Sequence, residues 1–116
     1  MNRFEYKIYD IVYDDMISGK KNIEFRLLND KTNSIKIGDE ISFKVLDNEN
    51  KCVLVEVVNK YIFDNVDDLL EHKELLNNVL NITKEEFINA FNNIFGKEKV
   101  DNSKIVGIEF KIKDFK

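Results

Sequence analysis

The segment "GKKNIEFR", residues 19–26, places an ammonium, a carboxylate and a guanidinium close together, on Lys21, Glu24 and Arg26. Arg26 is the best candidate donor to a phosphate or a nucleobase edge, because its planar fork can bind two acceptors at once. Glu24 can accept from an exocyclic amine, orient Arg26, or act as a general base if its pKa is raised. Lys21 can supply a positive charge or a proton. Together these groups suit an anionic or amide-bearing ligand.

The same side chains also suit a simple surface ion pair on a solvent-facing strand. Exposed ion pairs of that kind contribute only about 0–1 kcal/mol to stability. Their presence on a strand therefore does not by itself indicate a ligand site. Residue types and spacing alone favour this surface pair. A cleft becomes the better interpretation only if the polar face of the strand is partly removed from water.

Charge is unevenly distributed along the 116-residue chain, whose net charge is −4. An acidic protein is a poor candidate for tight non-specific binding to nucleic acid, which needs many lysine or arginine contacts to phosphate. Residues 18–38 nevertheless carry five basic and two acidic side chains, whereas residues 47–102 carry six basic and twelve acidic ones. The segment around Glu24 is therefore locally positive, and we expect Lys31 and Lys36 near the rim of a site there.

Alternation of apolar and polar residues predicts five strands, at 4–9, 22–28, 40–46, 51–63 and 104–113, and Gly38 and Asp39 are predicted to form a tight turn into the third. In the second strand Ile23 and Phe25 share one face, so we expect Glu24 and Arg26 to point away from the barrel core. The predicted core consists of Ile23, Phe25, Ile41, Phe43, Val55, Val57, Ile108 and Phe110.

Helices are predicted at residues 10–18 and within the acidic stretch 64–96. The first has Asp10 as N-cap, an apolar side of Ile11, Met16 and Ile17, and Gly19 at its end. The second contains the capping box "TKEE" at 83–86 and apolar residues at helical spacing, Phe87, Phe91, Ile94 and Phe95. The intervening "NDKTNS", residues 29–34, is predicted to be a turn. This order predicts an α+β domain over residues 1–116, with a small, mostly antiparallel β-barrel and two or three helices.

The remaining candidate side chains give little indication of a metal site, a disulfide or a further binding site. Cys52 has no second cysteine for an internal disulfide, and with His72 alone there is no zinc set, so we predict neither metal nor cofactor. Tyr61 and Phe63 are candidates to stack a nucleobase, although barrel packing is the commoner role. No apolar run approaches the roughly 18 residues of a membrane span. The N-terminus lacks the apolar stretch of a signal peptide, so we expect no membrane partner and a cytoplasmic location.

Gly19, Lys21, Glu24 and Arg26 resemble the G-x-K-x-x-E-x-R signature of the ASCH domain, a branch of the PUA-like superfamily. The segment "IKIGDEISF", residues 35–43, resembles a second conserved segment of that family, and the remaining strands and helices follow in family order. The resemblance covers the whole chain. It implies a small PUA-like β-barrel with the signature strand lining a cleft, and a role in binding RNA or a nucleoside through Lys21, Glu24, Arg26 and Lys31.

One bacterial branch of the family hydrolyses acetylcytidine. That branch uses a lysine at the position of Lys21, a threonine nucleophile at the position of Glu24, and a helical glutamate for which Glu71 and Glu74 are the nearest candidates. Three functions therefore stay open. The first is a non-enzymatic RNA or nucleoside module, the second a small hydrolase of a modified nucleoside using Lys21 and Glu24, and the third a protein-interaction module using the acidic helical stretch 64–95.

Overall fold

The computed structural model describes residues 1–72 and 84–116. The strands are β1 (Arg3–Ile8), β2 (Ile23–Leu27), β3 (Glu40–Val45), β4 (Asn48–Phe63) and β5 (Ile105–Phe115). The helices in the described ranges are α1 (Asp10–Ile17), α2 (Asp30–Ser34), α3 (Val66–Leu70), α4 (Lys84–Phe95) and α5 (Lys97–Asp101). The five predicted strands are confirmed, whereas the helices are more numerous than the two or three predicted.

The strands form one curled sheet in the order β1-β3-β4-β5-β2. Strand β1 runs parallel to β3, and the other three neighbouring pairs are antiparallel. The α+β class and the mostly antiparallel, PUA-like sheet are therefore confirmed, as a half-barrel with β1 and β2 as its two edges. Side chains bridge the gap between these edges, which we call the seam. Arg26 Nη2 donates to the carbonyl of Lys7 at 3.3 Å, and Lys31 Nζ donates to the carbonyl of Glu5.

Two apolar cores lie on opposite faces of the sheet. The inner core fills the concave face, where the ring of Tyr6 on β1 meets the guanidinium of Arg26 on β2. Its members are Tyr6, Ile8, Tyr13, Met16, Ile35, Ile41, Phe43, Val45, Val53, Val55, Val57, Val106, Ile108 and Phe110. The helix-side core lies under α3, α4 and α5. Its members are Ile23, Phe25, Phe63, Leu69, Leu70, Phe87, Phe91, Val100 and Ile105.

All eight predicted core residues are buried. Six of them belong to the inner core, but Ile23 and Phe25 belong to the helix-side core. Their assignment to the barrel interior was therefore wrong. Period-two alternation separates two faces of a strand without showing which face is concave, and helices cover the outer face of β2.

Three local predictions near the site were also wrong. Tyr9, not Asp10, is the N-cap of α1, and Ile11 is 70% exposed while Tyr13 takes its place in the core. The segment 29–34 is not a turn, because it contains α2. The side chain of Asn29 accepts from the backbone N–H of Thr32 at 2.9 Å, and Thr32 Oγ1 accepts from the N–H of Asn29 at 2.9 Å. This reciprocal pair is a capping box, which starts a helix.

In α4, Phe87 and Phe91 are buried as predicted, but Ile94 is 58% exposed. The predicted capping threonine Thr83 and the candidate glutamate Glu74 lie outside the described residues.

Candidate functional site

The site begins where α1 ends. Gly19 adopts a φ of 83°, and its N–H donates to the carbonyl of Met16 at 3.1 Å. A residue with a side chain is strained at that φ, which is why a glycine closes the helix here, as predicted. The N–H of Lys21 then donates to the carbonyl of Asp15 at 3.0 Å. This tie places Lys21 just before β2.

Strand β2 directs Glu24 and Arg26 onto the concave face of the half-barrel. Glu24 lies opposite Ile108 and Arg26 opposite Val106 on β5, and both partners belong to the inner core. Residues directly opposite each other in a sheet share a face. The prediction that Glu24 and Arg26 point away from the barrel core was therefore wrong, and Glu24 is only 8% exposed.

Lys21, Glu24 and Arg26 form a charged triad in which each carboxylate oxygen has its own cation. Glu24 Oε1 lies 2.9 Å from Lys21 Nζ. Glu24 Oε2 accepts from Arg26 Nη2 at 3.1 Å and from Arg26 Nε at 3.3 Å. The triad carries two positive charges and one negative charge, so it has one positive charge in excess. Because these three side chains are mostly buried, they do not form the solvent-facing ion pair that residue types and spacing alone favoured.

The charge of Glu24 follows from two opposing effects. Burial raises the pKa of its carboxyl group, but the nearby charges and hydrogen bonds of Lys21 and Arg26 together outweigh burial and leave the pKa below its ordinary value of 4.5. Glu24 is therefore a carboxylate at neutral pH. A general base needs a pKa near the working pH, so the environment favours an acceptor and an orienting group over a base.

A cleft of about 270 Å³ opens beside the triad. Lys21, Glu24 and Arg26 form its charged floor, and Lys7 is a fourth charged residue in its lining. Its other walls are mostly apolar and come from β1, α1, the β3–β4 turn and α4. They include Ile8, Tyr9, Val12, Leu46, Phe87, Ala90, Phe91, Ile94 and Phe95. An apolar cleft with a few convergent polar groups is the usual form of a small-molecule site.

Tyr6 supports the triad from the inner core. The Cζ atom of Arg26 lies 4.1 Å from the centroid of the Tyr6 ring, and Lys31 Nζ lies 4.0 Å from the same centroid. Cations at this distance are attracted by the electron-rich face of the ring. The Tyr6 hydroxyl is buried without a hydrogen-bond partner in the described structure, and burial raises its pKa.

The structure thus brings Lys21, Glu24 and Arg26 together and places the Lys31 ammonium at the seam, against the ring of Tyr6. The side chain of Lys36 is exposed. Its backbone N–H donates a hydrogen bond to Asp39 Oδ2 at 2.9 Å.

The remaining candidates lie elsewhere. Phe63 packs in the helix-side core, and the hydroxyl of Tyr61 donates to Glu109 Oε1 at 2.8 Å. Both residues therefore pack against other parts of the domain and do not enter the cleft. The described lining of the cleft does not include Glu71, which follows α3.

The sequence analysis did not identify two tyrosines as site residues. Tyr9 is 57% exposed and lines the cleft mouth, and Tyr6 contacts two of the predicted cations. The positions of both tyrosines at the site can be predicted only if β1 is known to lie across the seam from β2. An aromatic residue at the end of a strand is otherwise indistinguishable from core.

Residues 1–72 and 84–116 contain no group of three or more His, Cys, Asp and Glu side chains arranged to hold a metal ion. No helix among these residues is long and apolar enough to cross a membrane.

Comparison with solved structures supports the fold. The chain is similar to the hypothetical protein PH0355, with 26% identity and a TM-score of 0.81, over 97% of this chain and 100% of that one. It is similar to PF0455 from Pyrococcus furiosus, with 28% identity and a TM-score of 0.73, over 98% and 99%. It also matches an ASCH domain from Lactobacillus crispatus, with 13% identity and a TM-score of 0.70, over 95% and 79%. No protein-family model and no curated protein sequence matches the chain.

Proposed function

We propose that this chain, which has the fold of ASCH domains, is a non-enzymatic module that binds a nucleoside or a short single-stranded RNA. In this proposal residues 1–116 form one domain, located in the cytoplasm. Lys21, Glu24 and Arg26 bind the polar edge of the base, Lys31 flanks them, and the apolar walls of the cleft cover the base faces. The observation that carries the proposal is the ion-paired, buried carboxylate of Glu24 at the floor of a mostly apolar cleft.

The size of the cleft favours a small ligand. Pockets for small molecules usually measure about 300–1,000 Å³, and this cleft, at about 270 Å³, is slightly smaller than that range. It suits one base or nucleoside rather than several stacked bases. The floor offers donors on Lys21 and Arg26 and an acceptor on Glu24, and a base edge presents both kinds of group.

Hydrolysis of a modified nucleoside is the second candidate. Lys21 and Glu24 stand at the positions that are catalytic in the acetylcytidine-hydrolysing branch that the sequence resembles, and both line the cleft. Residue 24 is a glutamate, so the threonine nucleophile of that branch is absent, and the pairing of Glu24 with two cations disfavours a base at this position. Binding therefore ranks above hydrolysis.

The test is calorimetric titration of the protein with a nucleoside panel that includes N4-acetylcytidine, and with short single-stranded RNAs at two salt concentrations. We expect binding of at least one ligand. For RNA we expect a slope of log K against log salt shallower than about −2, because about 0.7 counterions are released per contacted phosphate and few cations line the cleft. Chromatography of the acetylcytidine sample should show no product.

Three outcomes contradict the proposal. A steep salt slope indicates an extended phosphate-binding surface instead of a cleft. Deacetylated product that disappears in Glu24→Gln indicates the hydrolase. Failure of every nucleoside and RNA to bind contradicts the function altogether and favours a protein-interaction module. Lys97→Ala is the control variant and should bind as the wild type does. Lys97 is an exposed lysine that pairs with Asp101 on α5 and lies outside the cleft.

A further inference from the structure

The floor of the cleft has little hydrogen-bond acceptor capacity left for a ligand. An ionised carboxylate offers about four lone-pair sites to donors. On Glu24, Lys21 Nζ occupies one site of Oε1, and Nε and Nη2 of Arg26 occupy two sites of Oε2. About one acceptor site of Glu24 therefore remains unused.

Unused donors on the same floor are more numerous. A lysine ammonium has three N–H groups, and Glu24 takes one of those of Lys21. A guanidinium has five, and Glu24 and the carbonyl of Lys7 engage those on Nε and Nη2 of Arg26. Within residues 1–72 and 84–116 no acceptor engages Nη1 of Arg26 or the other two hydrogens of Lys21 Nζ. The floor thus keeps two N–H groups on each cation for a ligand.

Burial makes these unused donors selective. The side chains of Lys21 and Arg26 are 11% and 21% exposed, so a ligand on the floor displaces the water that their N–H groups otherwise bind. A donor that loses water without gaining an acceptor weakens binding. The excess positive charge of the triad also attracts an oxo oxygen and repels the hydrogens of an amine. The floor is therefore complementary to a ligand edge that is rich in acceptors.

Among the pyrimidine bases, uracil has such an edge. Uracil carries an oxo group, which accepts, at the ring position where cytosine carries an amine, which donates. Its polar edge consists of two oxo groups on either side of a single N–H. Two acceptors and one donor match a floor with several unused donors and about one unused acceptor. The cleft volume of about 270 Å³ also favours a single ring over the double ring of a purine.

We propose that the cleft selects an oxo-substituted pyrimidine of the uracil type and rejects a base that presents an exocyclic amine. This inference rests on the proposed function, because it concerns the base that the same cleft binds. Lys21 and Arg26 are the specificity-determining residues, and they donate to the oxo groups. Glu24 accepts from the single N–H of the base and holds the two cations in place.

The experiment compares, by calorimetry on the wild type, three nucleosides that differ at the 4-position of the pyrimidine ring. They are uridine with an oxo group, cytidine with an amine, and pyrimidin-2-one riboside with a hydrogen. We expect uridine to bind about tenfold or more tightly than cytidine, and the pyrimidin-2-one riboside to bind more weakly than uridine. The uracil belongs either to a free nucleoside or to a strand of RNA. Tighter binding of tri-uridylate than of uridine identifies RNA, and equal binding identifies the nucleoside.

Variants test whether Lys21 carries the preference. Lys21→Gln replaces an ammonium that only donates by an amide that also accepts, so the ratio of uridine to cytidine affinity should fall about threefold or more. Lys21→Arg keeps a cation that only donates and should retain most of the ratio. Lys97→Gln makes the same change on an exposed lysine outside the cleft and should leave the ratio at its wild-type value. Because the ratio compares two ligands on one variant, a lower stability of Lys21→Gln affects both affinities alike.

Two results overturn the oxo preference and leave the proposed cleft function standing. One is a wild type that binds cytidine or the pyrimidin-2-one riboside as tightly as uridine. The other is a uridine-to-cytidine ratio that is the same in Lys21→Gln as in Lys97→Gln, which shows that Lys21 does not contact the 4-position. Absence of binding for every nucleoside and RNA overturns the proposed function together with the preference.

Discussion

Glu24 shows how one side chain can be acidic, buried and charged together. Two cations at 2.9 Å and 3.1 Å compensate for its removal from water. A carboxylate in this state can accept hydrogen bonds and orient Arg26, but it holds no proton to donate and has little affinity for one at neutral pH. This charge state supports the proposed recognition of a ligand through fixed charges.

Glu24→Gln tests this balance. The amide retains the shape of the side chain but leaves Lys21 and Arg26 without a counter-charge in a partly buried site. We expect a loss of about 1–3 kcal/mol in the free energy of unfolding, measured by urea denaturation at pH 7, together with weaker ligand binding. Glu98→Gln is the control, since Glu98 is exposed on α5, and it should change stability by less than about 0.5 kcal/mol. Equal stability of the two variants would show that the triad is not energetically coupled.

Tyr9 is predicted to contribute to binding without contributing to folding. Its ring is exposed at the cleft mouth, so it can stack on a bound base. Loss of base–aromatic stacking costs about 1–3 kcal/mol per base. We expect Tyr9→Ala to weaken nucleoside binding by roughly fivefold or more in calorimetry, Tyr9→Phe to bind normally, and the melting temperature to change little in both. Ile11→Ala serves as a control because Ile11 is exposed nearby and does not line the cleft. Normal nucleoside binding by Tyr9→Ala would show that the Tyr9 ring does not contribute to the binding site.

Strand β2 illustrates what can and cannot be predicted at the level of elements. Its boundaries and its two faces follow from the alternation of Ile23, Glu24, Phe25 and Arg26. Which face is concave does not follow, because both faces of this edge strand are covered, one by helices and the other by the inner core. The proximity of Lys21, Glu24 and Arg26 was therefore predicted, whereas the direction of Glu24 and Arg26 was inverted.

Helix α2 was missed for a different reason. A capping box is usually recognised by Glu or Gln at its third position, and here a threonine, Thr32, takes that role with Asn29 as the cap. Asn, Asp, Ser and Thr are common in turns as well, so "NDKTNS" carries both signals. Only the reciprocal hydrogen bonds distinguish them.

Asn29→Ala tests the energetic weight of that cap. The substitution removes the acceptor for the N–H of Thr32, and an N-cap of this kind contributes about 1 kcal/mol. We expect the urea midpoint to fall accordingly, with no change in the dependence of unfolding free energy on urea concentration. Asn29→Asp preserves an acceptor at the cap and should remain close to the wild type. A fully stable alanine variant would mean that packing of Thr32 alone holds α2.

At the scale of the whole molecule, the sequence predicted the fold class, the number of strands and the burial of all eight chosen core residues. Apolar alternation is a property of each strand and is readable locally. The division into an inner and a helix-side core, the parallel pairing of β1 with β3, and the cleft between β1 and α4 depend on contacts between distant segments. Local patterns do not specify those contacts.

The stability of the molecule should depend on pH through its depressed carboxyl groups. Glu24 has a folded-state pKa below 4.5, and backbone N–H groups of Asn2 and Lys36 lower the pKa of Asp39 below 3.8. Such groups bind more protons when unfolded, so their stabilisation is complete above the unfolded pKa and is lost as the pH falls through the folded pKa. We expect the free energy of unfolding to decrease progressively below about pH 5.

Urea denaturation at several pH values between 7 and 3 measures this decrease. Glu24→Gln should show a smaller decrease over that range than the wild type, because one of the depressed groups is absent. Glu98→Gln should follow the wild-type profile. Parallel profiles for the wild type and Glu24→Gln would contradict the depressed pKa of Glu24.

The double pairing of Glu24 also determines how a substitution at this position changes the charge of the site. A threonine at this position removes the only anion of the triad and leaves Lys21 and Arg26 side by side. Two adjacent cations favour release of a proton from the lysine ammonium, and a neutral amine can then take a proton from the new hydroxyl. A threonine at position 24 thus changes the excess charge of the triad from one positive charge to two.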